Sequence, residues 1–406
     1  MTVNLSWIAD INVTINTTAL QGPSFKGMVM GVFPVASLPT SWAGSLVHQY
    51  GSNAEIVADF TPLYDAAIVA LDYVQAYKYA ILLKACSTFF TQTPTSDILY
   101  VSCLDNTAAI NYVTGIQAIV DADNGWYAFY LADQVTSTQL TQNNGVYDAI
   151  NSLTSNNNLK VGFFDTNDPV ITAGNFLYDS TQAGKGISRA ILFYLPTNPV
   201  STTVTTALAV VDTLAAANMG KYFTNLFDTG IGLKSISGTQ LNSVTIDSTI
   251  TKTQLGDAGL GTGFLEVNGN VYPSFGASGL GLMQYGLMAS SNSSALLYLD
   301  QIVGADFIQL NLEADLSSLI IAAQPTGGIA YDDGGIQTVL NAAKSSLQKA
   351  VTQRIIQQFN NGNFTYLNAA QVSAAKKSSG VYDDMSVVLT FLGRILRVGL
   401  NVELKV

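Results

Sequence analysis

The residues of this chain whose types could do chemistry are few and poorly spaced for it. His48 is the only histidine, so any Ser-His-Asp or Cys-His relay would have to be built on it. It falls in the stretch Ser45–Ser52, which reads as a loop, and no Gly-x-Ser-x-Gly motif is present to supply a nucleophile. Cys86 and Cys103 are the only cysteines and lie in apolar surroundings. They form neither a Cys-x-x-Cys pair nor a disulfide framework, and read as reduced core residues. One histidine and two separated cysteines cannot make a structural zinc set. Gly256-Asp257-Ala258-Gly259-Leu260-Gly261-Thr262-Gly263 invites a phosphate-loop reading. Such a loop must run from a strand into a helix whose N-terminus faces the phosphate. Here the glycines lead instead into a hairpin-like segment, Gly263–Val267 and Asn270–Tyr272 around Asn268-Gly269, and Gly184-Lys185 is followed by Gly186 rather than Ser or Thr. The adjacent carboxylates Asp332-Asp333 and Asp383-Asp384 diverge from each other, so neither pair resembles an acid/base dyad. Asp332-Asp333-Gly334-Gly335 reads as a turn that caps the next helix. The expectation is a chain without catalytic residues, bound metal or cofactor.

The elements that would carry any such site alternate. Phe25–Pro34, Ile98–Leu104, Trp126–Leu131, Lys160–Phe164 and Arg189–Leu195 are short, continuously apolar strands. Helical spacing of apolar residues marks 62–86, 108–122, 146–153 and 202–218. Continuous apolar strands separated by amphipathic helices predict a mostly parallel α/β sheet covered on both faces. Between Phe227 and Ser291 helical periodicity is lost and Gly becomes frequent. Helices return at 294–323 and at 335–359, where Ile336, Leu340, Ala343, Leu347, Val351, Ile355 and Phe359 recur at three- and four-residue steps. Asn361-Gly362 supplies a stop, 364–373 reads as a strand and turn, and Val387–Phe391 leads into a closing strand. The expected fold class is therefore α/β and α+β: an outer α/β sheet region, an inner α+β region and extended strand arms at both termini. The expected divisions are 1–24, 25–227, 228–291, 292–393 and 394–406.

Both ends of the chain alternate at period two. Val3, Leu5, Trp7, Ile11, Val13 and Ile15 share one face of the first arm, and Leu396, Val398, Leu400, Val402, Leu404 and Val406 share one face of the last. Arg394, Arg397 and Lys405 place charge on the closing arm, as interfacial ion-pair partners or to solubilise an edge strand. Burying six such residues yields about 9–18 kcal/mol gross, while ordering about twelve residues costs roughly 1–2 kcal/mol each in the backbone. One arm alone is near balance, whereas many arms in a lattice reinforce one another through effective concentration.

Composition agrees with burial in an assembly. The chain has 406 residues, 48% hydrophobic and only 11% charged, against a typical charged share of about 25%. Its apolar runs are too short for the ~18 residues of a spanning helix, and the first ten residues do not read as a secretory leader. A net charge of −11 argues against nucleic acid. The charge is uneven: residues 332–406 hold 8 Lys+Arg against 5 Asp+Glu, a net of +3, and the remainder holds 9 against 23, a net of −14.

With strand arms at both ends of α/β and α+β segments, the chain resembles the contractile-tail sheath proteins of bacteriophages, in particular the shorter type. Three stretches carry the resemblance: Val3–Ile15 leading through Gly22-Pro23-Ser24 to the first core strand; Tyr298–Phe307 and the turn Gly327–Gly335 into the long helix; and the closing strand Ile395–Val406. The resemblance implies a structural subunit that stacks in rings around an inner tail tube and lends terminal strands to its neighbours. It also implies an inner region near the tube built from the C-terminal part and the N-terminal arm. The implied partners are the chain itself, the tube protein, the baseplate and the tail terminator, with no cofactor and no membrane insertion. The implied location is the virion tail, after assembly in the host cytoplasm. The competing expectations are a surface-layer or other virion protein with the same arms, and an α/β ligand-binding protein or enzyme, since such sheets bind ligands at the carboxyl ends of their strands.

Overall fold

The structure is a computed structural model, which describes residues 2–4, 25–93, 96–156, 158–166, 168, 189–195, 213–223, 269–270, 274–275, 280–281, 288 and 298–392. In chain order the strands are β1 (Thr2–Asn4), β2 (Gly27–Val32), β3 (Val47–Tyr50), β4 (Leu99–Leu104), β5 (Ala128–Gln134), β6 (Val161–Thr166), β7 (Ala190–Tyr194), β8 (Ser274–Phe275), β9 (Leu280–Gly281), β10 (Phe364–Tyr366) and β11 (Met385–Thr390). The helices are α1 (Asn53–Val69), α2 (Tyr73–Phe90), α3 (Tyr112–Ala122), α4 (Ser137–Thr141), α5 (Val146–Ser155), α6 (Leu214–Phe223), α7 (Leu299–Ala323), α8 (Asp333–Thr352) and α9 (Ala374–Ser379). The chain divides into two compact units, Ser24–Leu299 and Met1–Pro23 with Asp300–Val406.

The first unit is built on a six-stranded sheet of order β3-β4-β2-β5-β6-β7. β4, β2, β5, β6 and β7 run parallel, and β3 closes the β4 edge antiparallel. The central strands are apolar at nearly every position because both faces are covered. Met28, Met30, Phe129, Leu131 and Phe164 pack with Ile116, Ile119, Ile150 and Leu153 of α3 and α5. On the other face α2 and α6 pack against the sheet. Gly31 is required there, since a Cβ would lie 2.4 Å from Leu82 Cδ1 and 2.6 Å from Phe33 Cε1. Taken by chain order the parallel strands run 2-1-3-4-5, a doubly wound arrangement. The mixed α/β architecture expected from the strand-helix alternation is thus the one found.

Three local expectations are corrected. Residues 62–86 do not form one helix: α1 begins at Asn53, contains Pro62, and ends at a corner where Leu71 adopts φ 60° before the Asp72 carboxylate caps α2 through Gln75 N. His48 lies in β3 rather than in a loop. The long helix expected over 335–359 stops at Thr352. Arg354 turns the chain at φ 58°, and Ile355 and Ile356 leave the helix as buried residues. Of the expected hairpin around Asn268-Gly269, only Gly269 and Asn270 are described. Asn270 is buried and forms a parallel bridge with Phe193. The helical start at 202–212 and the loop Gly256–Gly263 lie outside the described residues.

The second unit joins α7 and α8 to a three-stranded sheet of order β1-β11-β10. Ile302, Val303, Ile308 and Leu312 of α7 are buried, as are Ile336, Leu340 and Leu347 of α8. Lys349 pairs with Asp315 at 2.7 Å. Asp332 caps α8, its carboxylate accepting from Gly335 N at 2.7 Å as the Asp-Asp-Gly-Gly turn predicts. Gly335 is needed at that turn because a Cβ would sit 1.8 Å from the Ala330 carbonyl oxygen.

Candidate assembly interface

The terminal sheet is assembled from the middle outward. β11 lies between two short strands and pairs antiparallel with both: Phe364↔Val387 through Tyr366↔Met385 on one side, and Thr2↔Thr390, Val3↔Leu389 and Asn4↔Val388 on the other. Leu389 is buried while Val388, on the opposite face, is exposed, which is the alternation of a half-buried strand. Beyond β11, Phe391 bridges to Ile356, Gln357 N donates to Thr390 O at 2.8 Å and Leu392 N to Ile355 O at 2.9 Å. Asn363 Nδ2 ties the 361–363 turn to Val388 O at 3.0 Å. β11 is therefore held by backbone bonds along its whole length and already receives the N-terminal strand in this chain.

Of the residues expected on the arms, Val3 lies in β1, opposite Leu389. Leu5, Trp7, Ile11, Val13, Ile15, Leu396, Val398, Leu400, Val402, Leu404 and Val406, with Arg394, Arg397 and Lys405, lie outside the described residues.

The residues considered for chemistry have other occupations. His48 stacks on Trp42, ring centroids 6.0 Å apart, and meets Tyr50 edge-on at 4.8 Å. Beside it, Trp42 Nε1 donates to the Tyr50 hydroxyl at 2.7 Å, and the hydroxyls of Tyr50 and Ser41 both donate to Asp59. Cys86 and Cys103 are buried free thiols. Burial pushes both upward, Cys103 to about 12. Asp333 accepts from Ala369 N at 2.7 Å. Asp383 and Asp384, expected to diverge, instead converge on Lys376, because one ammonium draws both carboxylates in; this raises the ammonium and holds Asp383 below the usual carboxylate range. No group of three or more metal-ligating side chains occurs among the described residues, and none of their helices is long and apolar enough to cross a membrane.

At the carboxyl ends of the parallel strands, where an α/β sheet binds ligands, the described carboxylates are engaged from within the chain. Asp105 accepts from Val35 N and from Thr107, Asp133 pairs with Lys78, Asp165 Oδ1 accepts from Ala215 N at the start of α6, and Asp168 accepts from Ser137 N and Oγ at the start of α4. Burial pushes the hydroxyls of Tyr77 and Tyr130 well up, and the carboxylates of Asp133 and Asp165 add to it. A residue that sequence reasoning passed over is Lys160. It is buried at the mouth of β6, donates to Trp126 O, and lies 4.1 Å from the centroid of the Trp126 ring. Burial pulls its ammonium down to about 7, against the favourable field of Asp123. Its one signal in the sequence was a lysine opening an apolar strand.

No family model and no curated protein sequence matches this chain. Among solved structures it is similar to the anti-feeding prophage helical sheath in its contracted state, determined by cryo-EM, with a TM-score of 0.52 and 12% identity over 97% of each chain. At that identity the likeness is one of fold, and it runs the full length of both chains. The fold is that of a contractile sheath.

Proposed function

We propose that this chain is the structural subunit of a contractile sheath, in a phage tail or a tail-like particle. It polymerises as stacked rings around an inner tube, and contraction of the rings drives the tube into the target cell. The observation that carries this reading is the sheath fold spanning 97% of the chain. The terminal sheet supports strand exchange as its mechanism. β11 already accepts the N-terminal strand at the register Val3↔Leu389; in the polymer a neighbour's arm takes the equivalent seat, so exchange substitutes one backbone ladder for another. The arms are 1–24 and 394–406, with Val3–Ile15 and Leu396–Val406 as their apolar faces. Arg394, Arg397 and Lys405 supply interfacial charge. The partners are further copies of the chain, the tube protein, the baseplate and the tail terminator, and the chain works without a cofactor. The +3 net charge of residues 332–406 suits a face turned to an acidic tube. The non-enzymatic reading is supported by the carboxylates at the strand ends, each engaged by the chain's own donors.

Electron microscopy of the purified protein tests this reading. Hollow tubes or stacked rings are expected; flat arrays would point to a surface layer, and dispersed monomers at every concentration would overturn it.

A further inference from the structure

The corner between α1 and α2 carries the three most exposed large apolar side chains among the described residues: Val69 at 84%, Leu71 at 69% and Val74 at 68%. It is a fixed corner. Leu71 N donates to Ile68 O at 3.0 Å, Asp72 N to Ala67 O at 2.9 Å and Gln75 N to the Asp72 carboxylate at 3.0 Å. Leu71 sits at φ 60°, a conformation that costs a branched side chain and that glycine adopts freely. A strained residue displaying its side chain outward from a rigid turn motivates a contact role, as does a cluster of exposed apolar groups.

Charge selects the occupant. Residues 27–77 contain no Lys or Arg but hold Glu55, Asp59, Asp65 and Asp72. Asp65, one turn before Val69, and Asp72, directly after Leu71, are both exposed. The complement of an apolar crest with an acidic rim is an apolar surface bearing cations. This chain's own stretch 332–406 has that character, with a net charge of +3 and with Arg354, Lys377, Val381 and Leu392 exposed. We infer that the α1–α2 corner is a docking point for the basic C-terminal region of a second copy, a contact separate from the strand arms. The inference rests on the self-assembly reading above.

The test is the lowest concentration at which the full-length protein pellets as polymer, measured for wild type, Leu71→Gly, Leu71→Asp and Asp65→Lys, with thermal melting of each unassembled chain alongside. Leu71→Gly relieves backbone strain and so keeps the fold if Leu71→Asp does not. The expected result is a several-fold rise in that concentration for Leu71→Gly and at least tenfold for Leu71→Asp. Asp65→Lys is expected to raise it at low salt and to match wild type at high salt. Polymerisation of folded Leu71→Gly at the wild-type concentration would overturn the docking role while leaving the self-assembly reading standing. A wild-type chain that never polymerises would instead overturn the self-assembly reading, and the docking role with it.

Discussion

At the scale of single residues, Lys160 couples folding to ionisation within an accessible pH range. A lysine held to about 7 when folded and about 10.4 when unfolded binds more protons in the unfolded chain between those values. Stability therefore rises with pH across that window and is lost as pH falls toward 7, with a slope of up to about 1.4 kcal/mol per pH unit from this group. Urea denaturation of wild type and Lys160→Met between pH 7 and pH 10 isolates it. The wild-type stability should climb relative to the variant as pH rises, and parallel pH profiles would show that Lys160 stays charged among the Trp126 and Asn124 carbonyls. Lys160 was illegible in the sequence because burial, not residue type, makes it unusual. The cysteines were legible, since their apolar neighbours announced the burial that keeps both thiols protonated. Asp332 was legible too, because a cap is a local motif whose partner, Gly335 N, lies three residues away.

At the scale of elements, the central strands declared themselves because burial on both faces leaves few polar positions, as in Leu99–Leu104 with Ser102 alone and Val161–Phe164 with none. β3 did not. Val47-His48-Gln49-Tyr50 is an edge strand of four residues in which His48 is half-buried and Gln49 exposed, so its pattern resembles a loop. The break between α1 and α2 also escaped the sequence, since Ala70-Leu71-Asp72 contains neither Gly nor Pro and the turn is made by a leucine at positive φ. The end of α8 was overrun for a related reason: Ile355 continues the apolar spacing but is buried beyond the helix, after Arg354 has turned the chain. The packing of α2 on the sheet makes an element-scale prediction. Gly31→Ala would place a methyl group against Leu82 and Phe33 and should destabilise the chain by about 1–3 kcal/mol, the usual penalty for overpacking. Chemical denaturation gives the value, and an unchanged midpoint would mean that the α2–sheet contact is looser than described.

At the scale of the whole molecule, the α/β unit and the terminal sheet serve different ends. The first buries its central strands on both faces. Among its described residues the second has three strands, two of them three residues long, and a sheet of that size is stable only with an apolar face or a packed helix. The alternation read at the two termini is the reason to expect assembly, and the order of elements was legible. Which strand meets which was not, because register depends on partners far apart in sequence, such as Val3 and Leu389. The strand exchange proposed above would act at this sheet, where β1 pairs with β11. The most direct test is polymerisation of the intact chain beside a chain ending at Phe391, followed by sedimentation and electron microscopy, with melting to confirm that the α/β unit is intact in both. The account predicts tubes from the intact chain and folded, unpolymerised subunits from the shortened one. Tubes of the same form from the shortened chain would contradict strand donation by the closing arm.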